Sequence, residues 1–279
     1  MIRSQSRTIA GLCAVGTLAL LATSGCARTP KVPIRPSADE FAAEERLLAQ
    51  PFAVAVPEDA VVRIVGPSMT CTGTIIDDDL VLTAHHCLVQ RGPRGEFTKT
   101  NLDPSLVRVE LGGDYFAWGE VSVRAVVAPP CGEQGGAGDI AVLVLTRKLV
   151  GVTPMTIRGE GIPKVGEEVA PVGFGRCALS PDAIRRKDRT GGPIRALTAE
   201  TLHLDASVCP GDSGGPVFAK STGEIVGVVS LSAMDHDDRT RGPSVMARID
   251  AYPHVLTHAK FIADGNSPNE LPPLECPGK

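Results

Sequence analysis

Short apolar runs separated by glycine, proline and polar turns fill most of this 279-residue chain. Short runs bounded by turn residues are typical of β-strands, and 30 glycines with 23 prolines supply the turns. The first set of runs occupies residues 61–65, 74–76, 80–83, 107–111, 121–127 and 140–145. The second set occupies residues 169–173, 194–197, 201–204, 216–218, 225–230 and 244–249. The pattern predicts an all-β fold of two six-stranded antiparallel β-barrels packed together.

Changes in composition mark the expected boundaries between the parts of the chain. Residues 1–26 have the pattern of a signal peptide, and residues 27–50 contain spaced prolines typical of a tether or propeptide-like linker. A connection with glycine and proline near residues 159–166 separates the two sets of strands. We therefore expect the first barrel at residues 51–158 and the second at residues 159–250.

The chain changes its period after the second set of strands. Apolar residues recur there at helical spacing, namely Tyr252, Val255, Leu256, Ala259 and Ile262. We expect Asp250 to cap this helix, Pro253 to lie in its first turn and Gly265 to follow its end. Residues 251–279 are thus predicted to form a short C-terminal helix and a tail.

The N-terminal segment predicts an exported protein. Arg3 and Arg7 precede an apolar run over residues 9–22, which is short for a membrane-spanning helix and ends in small residues before Cys26. The residues just before Cys26 resemble a bacterial lipoprotein signal, although an aliphatic residue is usual where Thr23 stands. The resemblance implies a periplasmic or cell-envelope lipoprotein tethered to a membrane through lipidated Cys26, and ordinary secretion is the alternative.

The remaining cysteines and the charge restrict the kinds of partner and site. With Cys13 in the signal and Cys26 assigned to lipid, an even number is left: Cys71, Cys87, Cys131, Cys177, Cys209 and Cys276. In an exported protein this number indicates disulfides, whose connectivity stays open at this point. The absence of any Cys-x-x-C pair argues against zinc, and the formal net charge of −4 gives no sign of nucleic-acid binding.

Three short motifs supply a histidine, an aspartate and a serine, in that order. They are Thr83-Ala84-His85-His86-Cys87, Asp139-Ile140-Ala141 and Gly211-Asp212-Ser213-Gly214-Gly215-Pro216. A serine hydroxyl is a weak nucleophile, so acyl transfer needs an imidazole to take its proton and a carboxylate to orient the imidazole. Glycines on both sides of Ser213 suit a tight loop that aims backbone N–H groups at one point.

These motifs resemble those of the chymotrypsin/trypsin-like serine protease family, in which they surround the catalytic triad in the same chain order. The resemblance makes Ser213 the nucleophile, His86 the general base and Asp139 its orienting carboxylate. It places the oxyanion hole at the N–H groups of Gly211 and Ser213. His85 is then expected to be a packed or half-exposed imidazole beside the site.

The resemblance also implies a specificity pocket. Its base lies six residues before the nucleophile, at Ser207, and its walls at Ser232 and Ser244. With no carboxylate at the base, cleavage after Lys or Arg is disfavoured, and small or medium apolar residues are expected before the scissile bond. Ser230 matches a position that supports Asp139 and whose backbone pairs with the substrate.

The disulfides are inferred in part from the resemblance, which pairs Cys71 with Cys87. Because the usual local partner of Cys209 is missing, we expect Cys177 to bond to Cys209. Cys131 is then left to bond to Cys276.

The sequence leaves open whether the protein is active as folded or is activated by cleavage. Many relatives are zymogens in which a newly cut, apolar N-terminus pairs with the aspartate before the catalytic serine, here Asp212. Ile64-Val65-Gly66 looks like such a start but lies too close to Cys71, so constitutive activity and processing both remain possible. The basic run at residues 185–189 is expected to be solvated.

The sequence therefore predicts a monomeric serine endopeptidase that acts on proteins or peptides and needs no metal or organic cofactor. One alternative is a binding module with a protease fold and no turnover. The other is a serine esterase, because the serine motif also satisfies Gly-x-Ser-x-Gly. That elbow should open a helix, whereas residues 216–218 continue as a strand.

Overall fold

The computed structural model describes residues 56–112, 116–130, 135–178, 184–233 and 239–274. The predicted signal peptide, lipidated Cys26 and linker lie outside the described residues, as do Cys131 and Cys276. Among the helices that are described, none has the length and apolar character needed to cross a membrane.

The first set of strands forms a closed antiparallel barrel. Its chain-order elements are β1 (Val61–Val65), β2 (Thr70–Asp77), β3 (Leu80–Thr83), β4 (Val89–Arg91), β5 (Phe97–Asn101), β6 (Arg108–Leu111), β7 (Gly119–Val127) and β8 (Ala141–Leu145). The barrel order is β1-β2-β3-β8-β7-β6, and β4 pairs with β5 in a separate hairpin. All six predicted strands are confirmed. Every residue of β8 is buried, which explains its uninterrupted apolar sequence.

The second set forms an antiparallel sheet that contains more strands than predicted. Its elements are β9 (Glu168–Gly173), β10 (Lys187–Asp188), β11 (Gly192–Pro193), β12 (Ala196–Leu197), β13 (Thr201–Ala206), β14 (Pro216–Ala219), β15 (Ile225–Ser232) and β16 (Gly242–Arg248). The order is β10-β9-β14-β15-β16-β13-β12, with β11 also pairing with β9. The strands not predicted, β10 and β11, are two residues long and contain residues that disfavour strands, such as glycine and proline.

The predicted C-terminal helix is confirmed as α1 (Pro253–Ala263), with Pro253 in its first turn and Gly265, at φ +93°, beyond its end. The N-cap is Tyr252 rather than Asp250. Asp250 is engaged elsewhere, because its carboxylate accepts a hydrogen bond from Arg248 Nε at 3.1 Å. Short 3₁₀ helices occur at Pro57–Ala60, His85–Leu88, Pro104–Leu106 and Pro268–Glu270.

Helix α1 follows the second sheet in the chain but packs on the first barrel, against β7 and β8. Its buried residues Val255 and Ala259 join the apolar core of that barrel. The strands of the second sheet contribute a separate apolar cluster, which includes Leu202 and Met246. Burial of apolar surface in these two clusters stabilises the fold, by about 25 cal/mol for each Å² of apolar surface removed from water.

Candidate active site

His86 lies in the 3₁₀ helix His85–Leu88, which begins just after β3. A disulfide between Cys71 and Cys87, with Cα atoms 6.2 Å apart, joins β2 to this helix. The sulfur atoms lie near the His86 ring, but they are bonded to each other and offer no thiolate to a metal ion. The neighbouring His85 is a packed imidazole, as expected, and its Nε2 lies 2.7 Å from Asn101 Oδ1.

Asp139 holds the His86 ring from a fully buried position just before β8. Its Oδ2 lies 2.7 Å from His86 Nδ1, and its Oδ1 accepts a hydrogen bond from the His86 backbone N–H at 2.8 Å. Ser230 donates a further hydrogen bond to Oδ2 at 2.5 Å. Burial raises the pKa of Asp139, but the charge of His86 and these hydrogen bonds outweigh burial and leave the pKa below its ordinary value. Because a carboxylate only accepts, Nδ1 carries the proton and Nε2 is left for the reacting group.

Tyr252 supports the Asp139 loop from the start of α1. Its hydroxyl accepts a hydrogen bond from the Gly138 N–H at 2.6 Å and donates one to Glu200. Burial and the neighbouring Glu200 carboxylate raise the pKa of the Tyr252 phenol. Sequence reasoning assigned Tyr252 only to the apolar face of the helix, because nothing in the sequence indicates where its hydroxyl lies.

Ser213 lies on a tight loop between Cys209 and β14. Gly211 and Gly214 have positive φ angles of +101° and +84°, a conformation that favours glycine. A Cβ on Gly214 would collide with the Thr83 hydroxyl and the Thr72 carbonyl of the first barrel. The serine loop can therefore approach the first barrel only because this position lacks a side chain.

Most backbone N–H groups of the serine loop are bonded within the protein. The N–H of Gly214 donates to Val229 O at 2.8 Å, and that of Gly215 donates to Asp212 O at 2.9 Å. In contrast, within the part of the chain that the structure describes, the N–H groups of Gly211 and Ser213 donate to no protein acceptor. Two N–H groups, one of Ser213 itself and one of Gly211, are therefore free of protein acceptors among the described residues.

Asp212 is fully buried and forms an ion pair with Arg189. Arg189 Nε lies 2.7 Å from Asp212 Oδ2, and Nη2 donates to Oδ1 at 3.1 Å. The backbone N–H groups of Cys209 and Gly175 also donate to the carboxylate, at 2.8 and 2.7 Å. Burial raises the pKa of Asp212 and outweighs the Arg189 charge and these N–H groups, which lower it, so the pKa lies above its ordinary value.

The expectation of a solvated basic run is wrong for Arg189, of which only 4% is exposed. Arg186 of the same run is also largely covered and pairs with Asp59 at 2.9 Å. Sequence reasoning missed these two residues because both partners are distant in the chain.

His86 and Ser213 line the same cavity, which has a volume of about 450 Å³. Among the described residues, no hydrogen bond joins the Ser213 hydroxyl to the His86 ring. Hydroxyl–imidazole hydrogen bonds of this kind are often long or poorly aligned until substrate binds. The serine is followed by strand β14 rather than a helix, which excludes the nucleophile elbow of an esterase.

The residues predicted for the specificity pocket separate into two groups. Ser230 and Ser232 line the cavity, whereas Ser207 and Ser244 are buried and do not line it. The Ser207 hydroxyl accepts a hydrogen bond from the Thr190 N–H at 3.0 Å. The Ser232 and Ser244 hydroxyls lie 2.9 Å apart and bond to each other.

A second disulfide closes the base of the serine loop. It joins Cys177 to Cys209, the expected pair, with Cα atoms 5.0 Å apart. The expected pair of Cys131 and Cys276 lies outside the described residues and stays a prediction.

Comparison with known proteins assigns the family. The family model described as Trypsin matches residues 50–256. The chain is similar to the "Cercarial protease" of Schistosoma mansoni, with 28% identity over 183 residues that cover 57% of this chain and 69% of the relative. It is similar to an "Uncharacterized peptidase" of Corynebacterium glutamicum, with 24% identity over 215 residues, 74% of this chain and 67% of the relative. Mouse neuropsin, described as a serine protease, shares the fold, with a TM-score of 0.55, 20% identity and coverage of 74% of this chain and 97% of that structure. The chain therefore belongs to the trypsin family and is a serine endopeptidase.

Proposed function

We propose that the protein hydrolyses peptide bonds through Ser213, His86 and Asp139. The observation that carries the proposal is the fully buried Asp139 carboxylate bound to His86 Nδ1, with His86 and Ser213 on the same cavity. His86 Nε2 takes the proton of the Ser213 hydroxyl as its oxygen attacks the peptide carbonyl. Asp139 keeps the ring oriented and stabilises the imidazolium that forms. His86 then returns the proton to the leaving amine, and water hydrolyses the acyl-enzyme by the same steps.

The free N–H groups of Gly211 and Ser213 support this mechanism. In the tetrahedral intermediate the carbonyl oxygen acquires negative charge, and donors that are already oriented stabilise that charge without reorganisation. Both groups lack a protein acceptor among the described residues, so a substrate oxygen would meet no competitor. Removal of one such donor typically costs about 10²- to 10³-fold in kcat.

We further propose that the serine loop is competent without a newly cut N-terminus. Asp212 already has a buried cationic partner in Arg189, together with two backbone donors. A second cation, such as an incoming α-amino group, would meet a carboxylate that already pairs with a buried guanidinium. This favours constitutive activity over activation by cleavage.

The proposed preference for small or medium apolar residues before the scissile bond rests on the character of the cavity. Val208, Leu231 and Ser232 line it, and among the described residues no carboxylate does. A substrate Lys or Arg would therefore be desolvated without a partner charge. Peptide profiling is expected to select Ala or Val over Lys or Arg at this position, and selection of Lys or Arg would reject the preference.

A fluorophosphonate probe tests the catalytic proposal, because it reacts with an activated serine. Wild-type protein is expected to be labelled, Ser213→Ala to remain unlabelled, and the exposed-site control Ser221→Ala to be labelled like the wild type. Labelling that persists in Ser213→Ala would reject Ser213 as the nucleophile. A folded wild type that is never labelled would favour the binding module.

The proposed proteolysis indicates the kind of substrate, and the disulfides indicate the compartment. The substrate is a protein or peptide, and the two disulfides favour an oxidising compartment outside the cytosol. The lipid anchor at Cys26, a periplasmic location and the monomeric state stay predictions from the sequence.

A further inference from the structure

Two arginines without carboxylate partners line the cavity that contains Ser213. They are Arg91, at the end of β4, and Arg176, just before Cys177. Elsewhere in the described chain, partly buried arginines such as Arg63 and Arg158 are paired with glutamates. The described ion pairs include none for Arg91 or Arg176, and no described acidic side chain lines the cavity.

Arg91 is held in place by contacts that leave its charge unneutralised. Its guanidinium stacks over the Phe97 ring at 3.6 Å from the centroid. Its nitrogens donate to Gly95 O at 3.2 Å and contact Met69 Sδ at 3.3 Å. Partial burial lowers the pKa of Arg91. An ordered guanidinium of this kind is suited to a planar carboxylate.

The position of Arg91 indicates which side of the substrate it meets. The leaving amine takes its proton from His86, so the chain beyond the cleaved bond must pass close to that ring. Phe97 contacts the His86 ring edge-on, with centroids 5.1 Å apart, and Arg91 lies on Phe97. Ser230 and Ser232, at the end of β15, line the same cavity and are the residues predicted to contact the substrate before the bond.

Arg176 lies on the same cavity beside the serine loop. Its backbone N–H donates to Pro210 O at 2.9 Å, next to Gly211, and its side chain is exposed. The cavity thus has one guanidinium stacked on the aromatic neighbour of the imidazole, and a second arginine whose backbone lies next to the oxyanion donors. Two positive charges on one cavity favour a negatively charged substrate segment.

We propose that Arg91 and Arg176 bind carboxylates of the substrate in the first two residues after the scissile bond. The enzyme then prefers to cleave before Asp or Glu. This inference rests on the proposed proteolysis and names a substrate class for it. It concerns the leaving-group side and is independent of the apolar preference before the bond.

Paired peptides test the inference. Their sequence before the bond is held constant, and Glu is compared with Gln, its neutral isostere, at the first and at the second position after the bond. In the wild type, Glu is expected to raise kcat/KM by about tenfold over Gln at one or both positions, as for a charge-assisted hydrogen bond. The ratio is expected to fall toward one in Arg91→Gln/Arg176→Gln and to decrease with added salt.

The control is Arg94→Gln, an exposed arginine of the same hairpin that does not line the cavity, and it is expected to keep the wild-type ratio. Because the ratio is measured within each variant, poor folding lowers both rates and leaves the ratio unchanged. A wild type that reacts with fluorophosphonate but shows no preference for Glu after the bond would overturn this inference alone. A preference for Glu that persists unchanged in Arg91→Gln/Arg176→Gln would also overturn it, whereas a wild type that neither reacts nor cleaves would overturn the proposed proteolysis as well.

Discussion

Asp139 combines complete burial with a negative charge, and its neighbours account for the combination. Two donors from His86 and one from Ser230 surround the carboxylate. The Tyr252 hydroxyl fixes the preceding residue, Gly138. The contact between His86 and Asp139 and the position of Ser213 on the same cavity were predictable from three motifs, because each motif has a local sequence requirement. Tyr252 was not predictable, because its contact depends on how the chain end returns to the first barrel.

The low pKa of Asp139 predicts an acid-dependent loss of stability. Because the folded-state pKa lies below the ordinary 3.8, the carboxylate stabilises the fold above that value, and this contribution is lost as the pH falls through the folded-state pKa. The free energy of unfolding of the wild type is expected to fall more steeply below about pH 4 than that of Asp139→Asn. Urea unfolding at several pH values measures both slopes, with exposed Asp78→Asn as the control. Equal slopes in the wild type and Asp139→Asn would contradict the assignment.

The geometry of the serine loop depends on long-range contacts with Arg189 and with the first barrel. The glycines on both sides of Ser213 predict a tight loop, and Gly211 and Gly214 do have positive φ angles. The sequence does not predict the buried partner of Asp212, because Arg189 belongs to a run of charged residues that is typical of a solvated loop. The short strands β10 and β11 around it were missed for a related reason, since pairing with β9 creates them rather than their own propensity.

The buried ion pair predicts a large effect of Arg189→Met. Removing one partner leaves a charge buried without compensation, so we expect a loss of about 3–5 kcal/mol in the free energy of unfolding. The matched control is Arg195→Met, because Arg195 pairs with Asp205 at an exposed site and should contribute less than about 1 kcal/mol. Chemical denaturation measures both changes.

Removal of both charges tests whether the unpaired charge causes the loss of stability in Arg189→Met. In the double variant Arg189→Met/Asp212→Asn no buried charge remains unpaired, and we expect part of the lost stability to return.

Constitutive activity is tested with an N-terminal fusion. Wild-type protein carrying an N-terminal fusion is expected to keep its full rate of fluorophosphonate labelling. Labelling that begins only after proteolytic removal of the fusion would contradict constitutive activity.

At the scale of the whole molecule, the sequence predicts the fold class because hydrophobic alternation and turn residues are local signals. All six strands of the first barrel follow from them, as does helix α1. The packing of α1 on the first barrel is a tertiary contact that no local pattern contains. The cavity between His86 and Ser213 is also a property of the assembled molecule, and with it the unpaired charges of Arg91 and Arg176.

Kinetic non-additivity tests most directly whether Ser213 and His86 act as one catalytic unit. The measurement is kcat/KM on one peptide for Ser213→Ala, His86→Ala and the double variant. Residues of a working triad depend on each other, so each single change is expected to cost about 10⁶-fold and the double change no more. Losses that multiply in the double variant, or a single variant that retains most of the wild-type rate, would contradict the account.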